Sequence, residues 1–309
     1  MEQRYRDFNT YLKDRFGCRV QKITLDAGFS CPNRDGTLSA DGCIYCNQRG
    51  SGTGAHARGM RLQDQMEEGK ERLSRRYGAK KFIAYFQAFT NTYAPLDRLK
   101  AAYDAALAPK DVVGISVGTR PDCVPDAVLD LLAGYQKTHL VWVEYGLQSA
   151  HDATLSRINR GHDFACFKDA VRRTRKRGIS ACAHVILGLP GEDRSHMMAT
   201  AAALAACKVD GVKLHLLYVV KGTRLETLFR KKEYVPLDQK AYVDLVCGFL
   251  ERLPADVVIQ RLTGDPHVDE LVAPDWCRDK AGTLAMIRKT LETRDSWQGR
   301  LSAAEPRGN

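Results

Sequence analysis

Short apolar runs alternate with helical stretches along nearly the whole chain, and this alternation constrains the fold more than any other feature. Runs at 19–25, 81–87, 112–117, 140–147, 180–187, 211–219 and 256–262 are rich in Val, Ile, Tyr and Trp. Several are almost continuously apolar, as strands buried on both faces of a parallel sheet are. Helical patterns separate them at 62–77, 96–108, 125–136, 164–177, 195–207 and 237–253, with a last one at 280–293. Asp163 and Asp193 stand where N-caps belong, and Gly178 follows a basic helix end as a C-terminal glycine would. Strand–helix alternation predicts βαβ units and a parallel sheet. Six or seven such units in 309 residues predict an α/β fold, a partial or near-complete (β/α) TIM-like barrel. No low-complexity block or linker divides the chain, so we expect one core over 1–263 and a helical C-terminal extension over 264–309.

In such a barrel the loops after the strands form the site. The polar clusters fall there: 87–92 after the second strand, 118–122 after the third, 144–149 on the fourth, 188–192 after the fifth, Lys213 and His215 on the sixth, and 260–265 at the seventh. The loop after the first strand carries Cys31, Cys43 and Cys46. Cys43 and Cys46 are spaced to share one metal centre, and Pro32, Gly36 and Gly42 let the loop double back toward Cys31. Three thiolates leave a coordination position free, where a closed zinc site takes four ligands. A redox or inert CxxC pair, or a zinc site completed by Cys18 or His56, are the alternatives. Cys182, Cys207 and Cys247 lie in apolar surroundings and read as small core residues.

No apolar run approaches a membrane span, and the N-terminus is unlike an export signal, so no membrane association and a cytoplasmic location are expected. A net charge of +10 suits a polyanionic partner such as RNA. Lys221, Arg224, Arg230, Lys231 and Lys232 after the sixth strand are the better phosphate-contact candidates. The run 172–177 reads as a solvated helix face. Gly50–Gly54 lacks the Lys-Ser/Thr of a nucleotide P-loop.

The segments Cys31-Pro-Asn-Arg-Asp-Gly-Thr37, Gly42-Cys-Ile-Tyr-Cys46, Tyr85-Phe-Gln-Ala-Phe-Thr-Asn-Thr-Tyr93, Gly118-Thr-Arg-Pro-Asp122, Glu144-Tyr-Gly-Leu-Gln-Ser149, Arg160-Gly-His162, His184-Val-Ile-Leu-Gly-Leu-Pro-Gly191 and Gln260-Arg-Leu-Thr-Gly-Asp265 resemble radical S-adenosylmethionine (SAM) enzymes of the YhcC/YtqA type, with a more remote similarity to the catalytic subunit of Elongator. Eleven residues between the first two cysteines depart from the commonest radical-SAM spacing of three and match this subfamily. The resemblance implies a [4Fe–4S] cluster on Cys31, Cys43 and Cys46, with one iron left for SAM. It implies SAM contacts from Gln87, Thr90 and Asn91; Tyr45, Glu144, Gln148 and Gly188, by position and residue type, are further cofactor-contact candidates. Glu144, a carboxylate in an apolar strand, needs either a ribose hydroxyl or an ion-pair partner such as Lys213 or Arg160. Arg120, Asp122, His215 and Arg261 are the substrate-facing candidates. The implied substrate is tRNA, at the C5 side chain of the wobble uridine, taken from carboxymethylaminomethyl toward aminomethyl. An electron donor such as flavodoxin or ferredoxin is implied too. A small-molecule or protein substrate, or a non-catalytic zinc- and RNA-binding protein, are the competing readings.

Overall fold

Seven parallel strands in the order β1-β2-β3-β4-β5-β6-β8 form one sheet among the described residues, in a computed structural model that describes residues 3–302 except 49, 51, 265 and 268. In chain order the elements are α1 (Phe8–Phe16), β1 (Val20–Leu25), α2 (Leu62–Tyr77), β2 (Lys81–Phe86), α3 (Leu96–Leu107), β3 (Val112–Thr119), α4 (Asp126–Tyr135), β4 (Leu140–Gln148), α5 (Asp152–Arg157), α6 (Phe164–Lys176), β5 (Ser180–Leu187), α7 (Arg194–Ala206), β6 (Gly211–Leu216), β7 (Val219–Val220), α8 (Arg224–Arg230), α9 (Gln239–Arg252), β8 (Val258–Arg261), β9 (Leu271–Ala273) and α10 (Lys280–Thr293). All seven strands read from the sequence are present. The sixth is split: β6 ends at Leu216, and β7 leaves the sheet to pair antiparallel with β9. Asp163 and Asp193 cap α6 and α7, accepting from the backbone N–H of Cys166 and His196. Gly178, just past α6, has φ +73°.

The sheet curls until its two edges approach. Lys22 on β1 donates to Gln260 Oε1 on β8 at 2.6 Å, and Ile259 N donates to Arg6 O at 2.8 Å as the N-terminal segment bridges the gap. The result is a partial barrel whose outer faces are covered by helices. Beyond 264, α10 packs against α9, and Ile287 and Leu291 are fully buried.

The lumen is layered along the strand direction. At its N-terminal end Trp142, Leu140, Ile83, Val258 and Cys182 form an apolar plug with Leu12 of α1. Phe8 and Tyr11 of α1 meet the Trp142 ring edge-on at 6.0 and 5.9 Å. Gly211 makes room for that indole, since a Cβ there would lie 2.8 Å from Trp142 Cζ3. The next layer is charged, and above it the loops at the C-terminal strand ends enclose a cavity. Cys182 and Cys247 are buried core residues, whereas Cys207 is half-buried at the end of α7.

Candidate active site

The loop after β1 folds on local backbone bonds. Arg34 N donates to Cys31 O at 2.8 Å, Leu38 N to Pro32 O at 2.8 Å, and Cys46 N to Cys43 O at 2.9 Å. Gly36 and Gly42 take φ of +90° and +71°, which an L side chain resists. Asn159 Nδ2 donates to Gly42 O at 2.7 Å and Ile44 N to Ile158 O at 3.1 Å, which ties the loop to the segment after β4. Cys31, Cys43 and Cys46 thereby line one cavity of about 320 Å³ with Gln87, Thr90, Gln148, His215 and Arg261.

Three N–H donors aim at two of the sulfurs. Asn33 Nδ2 and Arg160 Nη1 each stand 3.6 Å from Cys43 Sγ, and Arg34 Nη1 stands 3.5 Å from Cys46 Sγ. Arg160 is 7% exposed and also bonds Gly146 O through Nε at 3.0 Å and Nη2 at 2.5 Å. Burial pushes the Cys46 thiol up to about 11, with Cys43 adding to the effect and Arg34 opposing it. A reactive CxxC pair carries a lowered pKa, and Cys46 is shifted the opposite way. Cys18 lies before β1, at the plugged end, and six strand residues at ~3.3 Å each separate it from the loop. His56 sits against Gly28, outside the cavity lining. Neither completes a zinc site.

Among the described residues, the one trio of His, Cys, Asp or Glu ligand atoms within 4.8 Å of one another is Glu144, Cys182 and His184. The three loop sulfurs are therefore spread wider than that as a set. Two thiolates on a single zinc ion stand no more than about 4.6 Å apart at ~2.3 Å per Zn–S bond. The wider spread, with N–H donors already directed at the sulfurs, suits a multi-iron cluster. The cavity lining also suits a polar cofactor: Tyr45 Oη, Thr90 Oγ1 and His215 Nε2 are buried atoms with no hydrogen-bond partner among the described residues, whereas Asn91, whose Oδ1 is also without one, lies outside the lining. Thr90 and Asn91 are held in place by the bonds Thr90 N to Ser30 O at 3.1 Å and Asn91 Nδ2 to Gly118 O at 2.8 Å.

Glu144 is fully buried, and its partners are inside the protein: the ammonium groups of Lys22 and Lys213, and His184 Nε2 at 2.8 Å. Burial alone would raise its carboxyl, but Lys213, Lys22 and His184 hold it well below the usual carboxylate range. Burial lowers Lys213 to about 7 against the pull of Glu144. With two ammonium groups on its carboxylate, the Glu144–Cys182–His184 trio is not a metal site. Arg160 is not the partner of Glu144. The two lie in different layers, and Glu144 still lines the cavity.

Arg120 is 2% exposed, forms a two-pronged pair with Asp122 at 2.9 and 2.7 Å, and donates to Arg160 O at 2.8 Å. Its guanidinium thus organises the loop that positions Arg160, and Asp122 is its counterion outside the cavity lining. Gly188, with φ +87°, is also outside the lining. Its left-handed backbone favours glycine, and a Cβ there would also crowd Leu237 Cδ1 at 2.9 Å. Gln148 lines the cavity with φ +79°, a strained value for a non-glycine residue, at a register shift in β4. Sequence reasoning gave no cofactor-side role to Asn33, Arg34 or Arg160. The usable signal was that Asn33 and Arg34 are close neighbours of a candidate ligand in sequence. Of the basic residues after β6, Arg230 pairs with Glu226, and Lys221 Nζ donates to Asp269 O at 2.8 Å. Ser51 of the glycine-rich segment and Asp265 fall outside the described residues.

The sequence profile described as "Radical SAM superfamily" matches residues 31–204, and that of a "Radical_SAM C-terminal domain" matches 209–293. The chain is 46% identical over 300 residues to YtqA of Bacillus subtilis (strain 168), spanning 97% of this chain and 93% of that protein. It is 31% identical over 157 residues to Elongator complex protein 3 of Danio rerio, spanning 50% of this chain and 28% of that protein. It is 28% identical over 157 residues to a tRNA uridine(34) acetyltransferase of Dehalococcoides mccartyi, spanning 50% and 33%. In fold it is similar to the archaeal Methanocaldococcus infernus Elp3, with a TM-score of 0.66 at 17% identity over 90% of this chain and 64% of that one.

Proposed function

The chain belongs to the radical SAM superfamily, and within it we propose a tRNA-modifying enzyme that acts on the C5 side chain of the wobble uridine, taking carboxymethylaminomethyl toward aminomethyl. In this family a [4Fe–4S] cluster and SAM together supply a 5′-deoxyadenosyl radical. Cys31, Cys43 and Cys46 are the cluster ligands in this reading. Arg160, Asn33 and Arg34 direct N–H groups at the ligand sulfurs, which fixes their orientation. Thr90 and Gln148 present polar atoms to SAM from the cavity lining, and the apolar plug under Trp142 closes the far end of the lumen to water. A flavodoxin or ferredoxin is the expected electron donor.

The observation that carries the chemistry is the convergence of the three cysteines with partnerless buried polar atoms in one cavity. Support for the substrate comes from the relative named as a tRNA uridine(34) acetyltransferase and from the basic net charge. A nucleotide splayed out of the anticodon loop would enter at the strand ends. Anaerobic purification should give a brown protein containing iron and sulfide that cleaves SAM on reduction. A colourless zinc protein unchanged by cluster reconstitution overturns the radical chemistry. Nucleoside profiling of tRNA from a deletion strain should show the carboxymethylaminomethyl form accumulating, and an unchanged profile removes the tRNA substrate.

A further inference from the structure

One wall of the lumen carries positive charge that the protein itself leaves uncompensated. Two ammonium groups, Lys22 and Lys213, share one carboxylate, Glu144, and a third cation, Arg261, stands near enough to Lys213 to repel it. Arg261 lines the cavity, and its guanidinium makes no ion pair or hydrogen bond among the described residues. Beside it His215 also lines the cavity, with Nε2 shielded from solvent and without a partner. Burial, and then the neighbouring charge of Arg261, holds this imidazole well below its usual pKa, so at neutral pH it is an uncharged ring able to donate one N–H.

The placement of Arg261 is built into the strand. Along the β6–β8 pair, Val212 lies opposite Ile259 but Lys213 lies opposite Arg261, so Gln260 is an extra residue in β8. In a regular strand two successive side chains face opposite sides of the sheet. The bulge lets both serve the lumen: Gln260 accepts from Lys22, and Arg261 reaches the cavity. By register Arg261 is level with Lys213 and His184, on the strand at the opposite edge of the sheet from β1, whose following loop carries the cysteines.

We infer that Arg261, with His215 beside it, forms a subsite inside the barrel for a carboxylate of the substrate. A planar guanidinium with no internal partner matches a carboxylate through two parallel N–H···O bonds, and the imidazole supplies a third donor. The lowered Lys213 trims the positive excess toward what a monoanion neutralises. Resting on the wobble-uridine reading, the inference assigns this wall to the carboxymethyl end of the side chain, which the aminomethyl product lacks.

The test uses the full chain with its cluster and SAM, and the probes are N-methylglycine, methylamine and inorganic phosphate, followed by saturation-transfer NMR titration. The wild type should bind N-methylglycine about tenfold or more tightly than methylamine, as a charge-assisted two-pronged bond allows. Arg261→Met should abolish that preference, Arg261→Lys should keep part of it because charge survives without the fork, and His215→Gln should reduce it severalfold. Equal binding of the two amines by the wild type overturns the inference, as does a preference retained in Arg261→Met. Tighter binding of phosphate than of N-methylglycine makes this a phosphate site and overturns it too. A tenfold loss of SAM affinity in Arg261→Met, by equilibrium dialysis, assigns the guanidinium to the cofactor and also overturns it. An unchanged tRNA nucleoside profile in the deletion strain removes the wobble-uridine substrate alone, because the probe titration decides the carboxylate subsite without tRNA.

Discussion

Arg160 is a guanidinium buried without a carboxylate, and this determines how its replacement should behave. Among the described residues it forms no ion pair with Asp or Glu, and its nearest anionic partner is the Cys43 sulfur at 3.6 Å. With the cysteines protonated, the cation is buried and uncompensated. With a cluster bound, Cys43 is a thiolate and compensates it. At an effective dielectric of about 20, unit charges 3.6 Å apart attract by about 4–5 kcal/mol. Arg160 and the cluster should therefore stabilise each other by roughly 2–5 kcal/mol once the spread of the thiolate charge over the cluster is allowed for. Arg160→Met keeps much of the volume and removes the charge. It takes two donors from the Gly146 carbonyl, which keeps His162 Nε2 at 3.3 Å, a loss of about 1 kcal/mol, but also removes the uncompensated cation. In the cluster-free protein these effects oppose, and the variant should unfold within a few degrees of wild type. In the reconstituted protein the wild type should gain markedly more from cluster loading. At about 2–4 °C per kcal/mol the difference in gain is roughly 4 °C or more. The assay is thermal unfolding by far-UV circular dichroism under anaerobic conditions, on four samples with iron content matched between the loaded pair. An equal gain from cluster loading in both proteins would refute the coupling.

Three further outcomes follow from other parts of the molecule. Gln148→Gly should relieve the strain of φ +79°, leaving stability unchanged or raised by up to about 1 kcal/mol while SAM affinity falls; equilibrium dialysis beside calorimetry checks both. Burial, with Lys213 adding to it, lowers His184 to about 4 against the pull of Glu144, so between about pH 6.5 and 4 the unfolded chain binds more protons than the folded one; stability should fall as pH drops through that window, more shallowly in His184→Gln, in a pH series of unfolding midpoints. Gly211→Ala would set a methyl 2.8 Å from Trp142 Cζ3, and because Phe8 and Tyr11 pin that indole it should lower stability by about 1–3 kcal/mol, with part of the loss recovered in Gly211→Ala/Trp142→Phe; additive losses in the double variant would show that the two do not touch.

The strands and helices were legible because each is a contiguous run with its own period, and β1 to β6, β8, α2 to α4, α6, α7, α9 and α10 fall within a few residues of where the sequence placed them. The short α1, α5 and α8 were not. Phe8–Phe16 is capped by Asp7 and closed by Gly17, but only one of its residues, Leu12, is fully buried, so its pattern announces little. Its purpose as the plug under Trp142 exists only once residues over 130 positions apart are brought together.

For the site, the three cysteines on one loop, the polar residues at strand ends and the family were readable from the chain alone, since spacing and residue type are local properties. The partners of these side chains were set by the folding of the sheet. It gave Glu144 to Lys22, Lys213 and His184, Arg120 to Asp122, and Arg160 to Cys43 and the Gly146 carbonyl. It also turned Arg261 toward the cavity through a one-residue bulge that no periodicity reveals. Hydrogen bonds and ion pairs act over a few ångströms in space, and the curl of the sheet, which sets those distances, is a property of all seven strands together.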